Sequence, residues 1–147
     1  MAAAFSQYWT ARLTDGFPML AAMQVSVLGD QQNWQLIAPF SLNRNDHGTA
    51  FGGSLSMLAT IAGWMATCVA AGDGYDVVIQ SGNTHFLKPL TGDLLARVAS
   101  IDPAVLDRFR ETLRRRGKAR LAVQVEVVDA KNEPVVQFSG QYVAAPL

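Results

Sequence analysis

A glycine pair that follows a polar turn gives this chain a place to hold a developing negative charge. The stretch from Asn45 to Gly53 reads NDHGTAFGG and runs directly into a long apolar segment. Gly52 and Gly53 let backbone approach a ligand closely, and the first amides of a helix have no partner within it, while the helix dipole attracts an anion. Because the side-chain amide of Asn45 can also donate to a carbonyl oxygen, the stretch predicts an oxyanion site for thioester chemistry. The alternative is a tight turn with a glycine helix start and no ligand.

The segment that follows is predicted to be one long buried helix. It runs from about Gly52 to Ala71, has apolar residues on every face, and carries no charge from Leu55 onward. A helix that is apolar all round is enclosed by its surroundings. Its length would allow a membrane span, but its Ala, Ser, Thr and Gly content favours a core helix, so no membrane span is expected.

Alternating patterns predict the strands that must enclose this helix. After an amphipathic helix that ends near Asp15, two short strands over 22–28 and 34–40 form a hairpin. Longer strands follow over 76–88, 93–101, 119–129 and 134–144. The last two are antiparallel neighbours because a hairpin-length loop joins them.

A helical insertion is predicted between the second and third of the longer strands. Asp102 suits the helix cap, Pro103 suits the first helical position, and Gly117 ends the pattern. This region holds seven of the twelve basic residues, although the chain has zero formal net charge: Arg108, Arg110, Arg114, Arg115, Arg116, Lys118 and Arg120.

Length and composition set the broad class of the protein. The 147 residues, 50% of them hydrophobic, suffice for one well-packed domain over 1–147 and are too few for two. Zero net charge argues against binding to nucleic acid by bulk electrostatics. The single cysteine, Cys68, excludes a disulfide framework and offers no metal-ligand spacing, so it is expected in the core and no metal is expected. The first residues lack a basic signal-peptide region, and a cytoplasmic protein is therefore expected.

These elements together indicate an α+β protein with the hotdog fold, in which a curled antiparallel sheet wraps around one long central apolar helix. Motifs in the matching order and spacing resemble those of hotdog-fold thioesterases: Asn45, Gly48, Phe51–Gly53, Leu58–Thr60, Phe86–Pro89 and Gly92–Asp93. The stretch from His47 to Leu55, continued through Trp64, resembles the YiiD C-terminal-like thioesterases, a branch that includes malonyl-acyl carrier protein decarboxylases. The resemblance implies a dimer with shared clefts, and either thioester hydrolysis or decarboxylation of a malonyl thioester.

The residue types favour decarboxylation. In the hotdog thioesterases that this chain resembles, a helix carboxylate usually acts on water, but Thr60 stands at that position and the helix has no Asp or Glu. Loss of carbon dioxide needs no base, only donors for the enolate oxygen and a hold on the departing carboxylate. Asn45, the Gly53 amide and Thr60 are the expected catalytic groups. Because Gly53 and Thr60 lie about 10 Å apart along one helix, a cleft between two subunits is expected to bring such groups to one substrate.

A polar stripe on the same helix is expected to line the cleft. Ser56, Thr60, Gly63 and Thr67 fall on one face at steps of four, three and four residues. The alternative is that their hydroxyls bond carbonyls one turn earlier.

Further residues are expected to bind substrate near the turn and on one strand. His47 and Gly52 lie beside the oxyanion site. Ser81, Asn83 and His85 alternate on one side of the first long strand, predicted to be the side of Val77 and Ile79, and would face substrate or the dimer seam. A structural role for either histidine is the alternative.

The expected substrate is carried on the phosphopantetheine of an acyl carrier protein or on coenzyme A, with no other cofactor. Carrier proteins are acidic and coenzyme A carries phosphates, so the carrier is expected to bind a basic patch: Lys88, Arg108, Arg114, Arg115, Arg116 and Lys118. The alternative is a solvated helix end whose cations complement the helix dipole. The expected assembly is a homodimer or a dimer of dimers. Hydrolysis by water held by Asn45, Thr60 or His85, and binding without turnover, stay open as alternatives.

Overall fold

One antiparallel sheet and one long helix dominate the computed structural model, which describes residues 2–147. The helices are α1 (Ala2–Gly16), α2 (Pro18–Ala22), α3 (Phe40–Asn43), α4 (Gly52–Ala71) and α5 (Pro103–Arg116). The strands are β1 (Ser26–Gly29), β2 (Trp34–Ala38), β3 (Tyr75–Phe86), β4 (Leu94–Val98), β5 (Ala119–Val128) and β6 (Pro134–Pro146).

The six strands form a single curled sheet in the order β1-β2-β4-β5-β6-β3, and every neighbouring pair is antiparallel. β5 and β6 are joined by a tight turn, as predicted. β3 pairs with β6 on one side only, so its 12 residues form one edge of the sheet.

The central helix α4 packs across strands β2 to β6. Its buried side chains lie on several faces, and they include Leu58, Ile61 and Met65. By length and composition alone α4 could cross a membrane, but in this fold it is the core helix of the sheet. Enclosure by strands explains why the sequence carries no charge here.

The sequence placed the shorter elements less well. The strand expected over 22–28 begins only at Ser26, because Pro18 starts the short helix α2 and Gln24 takes a positive φ of 55°. The strand expected over 34–40 ends at Ala38, because Pro39 cannot donate a ladder hydrogen bond and α3 begins at Phe40.

The predicted insertion helix α5 is confirmed with its caps. The Asp102 carboxylate accepts a hydrogen bond from the Ala104 amide at 2.9 Å, and Pro103 occupies the first turn. Gly117 takes a left-handed φ of 72°, and its amide donates to the Leu113 carbonyl. Phe109 and Leu113 are buried, which fixes α5 against β5.

A tyrosine from β6 fills the space left by a glycine in the middle of α4. Tyr142 is fully buried, and its hydroxyl donates to the Thr60 carbonyl oxygen at 2.6 Å. A Cβ at Gly63 would lie 2.3 Å from the Tyr142 hydroxyl oxygen, and a Cβ at Gly140 would lie 2.8 Å from the same ring. The two glycines therefore form a slot that lets the helix approach the sheet.

We predict that Gly63→Ala destabilises the protein although alanine is the better helix former. The added methyl group would overlap a fully buried ring, so something must shift, and we expect the free energy of unfolding to fall by about 2 kcal/mol. Denaturant unfolding followed by circular dichroism measures this. The control is Gly16→Ala, where a Cβ would meet nothing within 4 Å. A Gly63→Ala protein as stable as the control protein would contradict the slot.

Candidate active site

The start of α4 presents unpaired backbone donors. Phe51 caps the helix without a side-chain hydrogen bond, and the first bond of the helix runs from the Leu55 amide to the Phe51 carbonyl. Within residues 2–147, no acceptor bonds the amides of Gly52, Gly53 or Ser54. Together with the positive end of the helix dipole, these amides can bind an oxyanion or a carboxylate.

Two phenyl rings flank this set of amides. A Cβ at Gly53 would lie 2.4 Å from the ring of Phe51, and a Cβ at Gly52 would lie 3.6 Å from the ring of Phe86. Both rings are 55% exposed. They give the donors an apolar margin, which strengthens an electrostatic interaction once a substrate excludes water. Phe51 and Phe86 stand in the quoted motifs, but sequence reasoning assigned them no role.

Asn45 shapes the loop before α4. Its side-chain oxygen accepts hydrogen bonds from the amides of His47 and Thr49, and its side-chain nitrogen donates to the Thr49 hydroxyl at 2.8 Å. Gly48, with φ at 83°, completes the turn. The side-chain nitrogen carries two hydrogens, and one of them is left for a ligand. Asn45 can therefore stabilise the loop and bind substrate at the same time.

Backbone hydrogen bonds hold this loop in place against the rest of the fold. The Ala50 amide donates to the Leu90 carbonyl, and the Phe51 amide donates to the Asn43 carbonyl, both at 2.8 Å. Asn43 is buried, and its side-chain nitrogen donates to the carbonyls of Met23 and Pro39. Hydrogen bonds to Leu90 and to Asn43, which is itself hydrogen-bonded to Met23 and Pro39, therefore fix the direction in which α4 begins.

The hydroxyls along α4 differ in their availability. Thr67 is fully buried and donates to the Gly63 carbonyl at 2.9 Å, so the expectation that it lines a cleft is wrong and the alternative holds. Ser56 and Thr60 are half-buried, and neither hydroxyl has a hydrogen-bond partner among the described residues. Thr60 can therefore donate to a ligand at no cost to the helix.

The polar residues of β3 lie on the other side of the sheet from the one predicted. Directly opposite residues share a face, and Val77 and Ile79 oppose the buried Ala144 and Tyr142. A bulge between Ile79 and Ser81 shifts the register by one residue. Consequently Ser81, Asn83 and His85 oppose Gln141, Ser139 and Gln137 on the outer face, away from α4.

The two histidines are both exposed. His47 lies in the turn, with its Nε2 atom 3.5 Å from an Asp46 carboxylate oxygen. His85 is on the outer face of β3. Within a single chain, no contact holds either histidine beside the free amides at the start of α4. The substrate-binding roles of both histidines stay predictions.

Two of the predicted carrier-binding cations have partners within the chain. Lys88 pairs with Glu133 and with Asp129, the latter at 3.2 Å, and the hydrogen bonds that its ammonium donates, first to Glu133 and then to Asp129, raise the pKa of Lys88. Arg114 pairs with Glu111. These two cations are thus partly neutralised before any carrier binds.

The basic region lies at the far end of α4. The Arg110 guanidinium donates to the Ala70 carbonyl at 3.0 Å, which places α5 beside the last turn of α4. Gly53 is roughly 26 Å away along the helix axis at 1.5 Å per residue. All seven basic residues of this region are exposed: Arg108, Arg110, Arg114, Arg115, Arg116, Lys118 and Arg120. Within one chain, therefore, the basic region around α5 is not adjacent to the oxyanion site, whereas Lys88 follows Phe86, which lies beside Gly52.

Comparisons with known proteins show the family of this chain and agree with its fold. A family model described as "Putative thioesterase (yiiD_Cterm)" matches residues 6–146. A protein of unknown function from Chlorobaculum tepidum TLS is 25% identical, with a TM-score of 0.88 over 96% of this chain and 94% of that one. A "putative thioesterase" from Shewanella oneidensis is also 25% identical, with a TM-score of 0.78 over 95% and 96% of the two chains. A Bacillus halodurans protein solved with CoA is 18% identical, with a TM-score of 0.72 over 95% and 87%.

Within residues 2–147, no cluster of three His, Cys, Asp or Glu side chains could hold a metal ion. A cysteine nucleophile would be a different route to thioester chemistry, and Cys68 is poorly suited to it. Its side chain is buried in α4, and loss of hydration raises the pKa of the thiol to about 12.

We predict that Cys68 resists alkylation in the folded protein. With a pKa near 12, only about one thiol in ten thousand is ionised at pH 8, and the thiolate is the reactive form. Mass spectrometry after iodoacetamide treatment at pH 8 measures the modified fraction. The urea-unfolded protein is the control, and it should react at the rate of a free cysteine. Rapid alkylation of the folded protein would contradict the burial of this thiol.

Proposed function

Because the chain belongs to the YiiD C-terminal thioesterase family and has the hotdog fold, we propose that it decarboxylates malonyl thioesters, malonyl-acyl carrier protein above all. The product is the acetyl thioester, which can start fatty acid synthesis. The observation that carries the proposal is the set of free amides at Gly52, Gly53 and Ser54 on a helix without a single carboxylate. Such a site can hold charge, and its helix has no carboxylate to activate water.

The chemistry asks only for electrostatic stabilisation. The bond between the malonyl carboxylate carbon and the α-carbon breaks, and carbon dioxide leaves. The electron pair of that bond stays with the α-carbon and forms the thioester enolate. The enolate oxygen carries the new charge, and the free amides of α4 are directed at such a charge. Protonation of the α-carbon by solvent then gives the acetyl group.

Thr60 suits the other end of the substrate. Its hydroxyl is half-buried and unbonded among the described residues, so it can donate to the malonyl carboxylate or to the enolate. A carboxylate at this position would repel the malonyl carboxylate. The threonine therefore supports a substrate that is itself an anion.

Hydrolysis is the second candidate, and the family description favours it. It requires a group that activates water or attacks the carbonyl. In one chain, α4 has no Asp or Glu, His85 lies on the opposite face of the sheet, and Cys68 is buried. Asn45 or Thr60 would have to hold the water without a base.

A second copy of the chain would complete the site. The edge strand β3 is long and unpaired, and Val78 and Ile79 on it are 61% and 42% exposed. A long apolar edge strand tends to pair with another strand. Pairing with its own copy gives a homodimer with a continuous sheet, and the predicted cleft would combine Gly53 of one subunit with Thr60 of the other.

This dimer would also bring the basic region around α5 of one subunit to the oxyanion site of the other. β3 runs back along α4, since Phe86 at its end touches Gly52 and Tyr75 at its start follows the last turn of α4. Antiparallel pairing of two β3 strands therefore sets the two α4 helices antiparallel. The basic end of one subunit then lies on the side where the other subunit has Gly53. An acyl carrier protein or coenzyme A bound to one subunit could deliver its thioester to the other.

We predict that the wild-type protein is a dimer and that Val78→Asp weakens it at least about tenfold, because the change brings like charges to paired edges. Analytical ultracentrifugation over a dilution series measures the dissociation constant. Val105→Asp is the matched control, since Val105 is 37% exposed on α5, away from β3. A wild-type protein that sediments as a monomer would contradict the dimer.

The proposed reaction predicts that malonyl-acyl carrier protein loses the mass of carbon dioxide when it is incubated with the enzyme. Intact-mass spectrometry of the carrier reads the malonyl, acetyl and free-thiol states together. Conversion to the acetyl form supports the proposal, whereas release of the free thiol supports hydrolysis and overturns it. An unchanged carrier also overturns it.

Two variants test the assigned donors in the same assay. Thr60→Val and Asn45→Asp should each lower the turnover number by roughly a hundredfold, the scale for loss of one donor to a developing charge. Asp at position 45 keeps the oxygen that accepts from His47 and Thr49, but it removes the nitrogen that donates to the Thr49 hydroxyl and could donate to substrate, and it adds a negative charge. Thr67→Val is the control on the same helix. Full activity in Asn45→Asp would restrict Asn45 to the loop.

A further inference from the structure

We propose that Tyr142 is a positioning residue that sets the place of Thr60 through the backbone of α4. The inference rests on the proposed function, in which Thr60 touches substrate. Tyr142 itself is fully buried behind the helix and touches no substrate. Its hydroxyl donates to the Thr60 carbonyl oxygen at 2.6 Å.

Two polar bonds fix α4 on the sheet, and they lie one helical turn apart. One is the bond from Tyr142 to Thr60. The other runs from the indole nitrogen of Trp64 to the Val77 carbonyl of β3 at 2.8 Å. Residues i and i+4 lie on the same face of a helix, so the two bonds together fix both the rotation and the axial position of α4 at this turn.

The bond to Thr60 exceeds what the helix needs. In the interior of a helix, each carbonyl accepts from the amide four residues later, so the Thr60 carbonyl already faces the Trp64 amide. The Tyr142 hydroxyl adds a second donor to the same oxygen. A phenyl ring would fill the slot between Gly63 and Gly140 equally well, so packing alone does not require the hydroxyl.

The glycine opposite the ring supports the same inference. A glycine in the middle of a helix is unfavourable compared with alanine. At Gly63 a Cβ would lie 2.3 Å from the Tyr142 hydroxyl oxygen and 2.6 Å from the ring carbon that bears it. The missing side chain thus makes room for the end of the tyrosine that carries the donor.

The hydroxyl is a permanent donor. Burial raises the pKa of Tyr142 above its usual value, so the group stays protonated across the neutral range. Thr60, by contrast, keeps its own hydroxyl free of partners among the described residues. The arrangement therefore holds the backbone of Thr60 while leaving its side chain for a ligand.

A double-mutant cycle tests this role. The proteins are wild type, Tyr142→Phe, Thr60→Val and the double variant, each as the full chain, with malonyl-acyl carrier protein as substrate. Thr67→Val is the matched control, because it also removes one buried hydroxyl that donates to a carbonyl of α4. Thermal unfolding of every variant gives the stability loss that accompanies each missing hydrogen bond.

The expected result separates positioning from stability. Tyr142→Phe lowers the turnover number by about fivefold to tenfold, the scale of one hydrogen bond, with KM changed by less than about twofold. Thr67→Val loses similar stability but keeps its turnover number. In the Thr60→Val background, Tyr142→Phe has no further effect on turnover, because the group that it positions is gone.

Other outcomes overturn the inference in distinguishable ways. If Tyr142→Phe lowers turnover by the same factor with and without the Thr60 hydroxyl, or if Thr67→Val lowers it equally, Tyr142 acts only through stability. Wild-type turnover that Tyr142→Phe leaves unchanged also overturns it. If the wild-type protein turns over no malonyl thioester, the proposed function fails first, before any variant is compared, and this inference fails with it.

Discussion

The structure depends on enclosing one apolar helix without covering its first turn. α4 has buried residues on several faces, so strands β2 to β6 must wrap its length. The same helix has to leave the amides of Gly52, Gly53 and Ser54 without partners if they are to hold a charge. The chain meets both demands by entering α4 through a loop that is hydrogen-bonded to Leu90 and Asn43 and makes no bond to the amides of Gly52, Gly53 or Ser54.

The sequence predicted those elements whose signals are local. The predicted bounds of α4 and α5 agree closely with the structure, because an apolar run and capping residues such as Asp102 and Gly117 are local sequence signals. The hotdog fold and the thioesterase family are confirmed. The helices α2 and α3 were missed because elements of five and four residues carry no periodicity. The available signals were Pro18, the first residue of α2, and Pro39, the residue that caps α3.

The candidate site was predicted in its residue types more than in its contacts. Whether a threonine hydroxyl is free or bonded depends on burial, which separates Thr60 from Thr67 although both stand on the same stripe. The partners of Lys88 come from the turn between β5 and β6, and Arg110 bonds the last turn of α4. Such pairings join distant parts of the chain, so no local pattern contains them. Tyr142, more than 80 positions after Thr60 in the sequence, was missed for the same reason.

The bulge in β3 determines which side chain stands beside the glycine pair. Strict alternation from Val77 along the same residues would turn His85 toward α4 and Phe86 outward. Because Gln80 stands in the bulge without a partner on β6, the strand instead turns Phe86 toward the glycine pair and His85 toward the outer face. One unpaired residue thus decides that the mouth of the site is apolar rather than titratable.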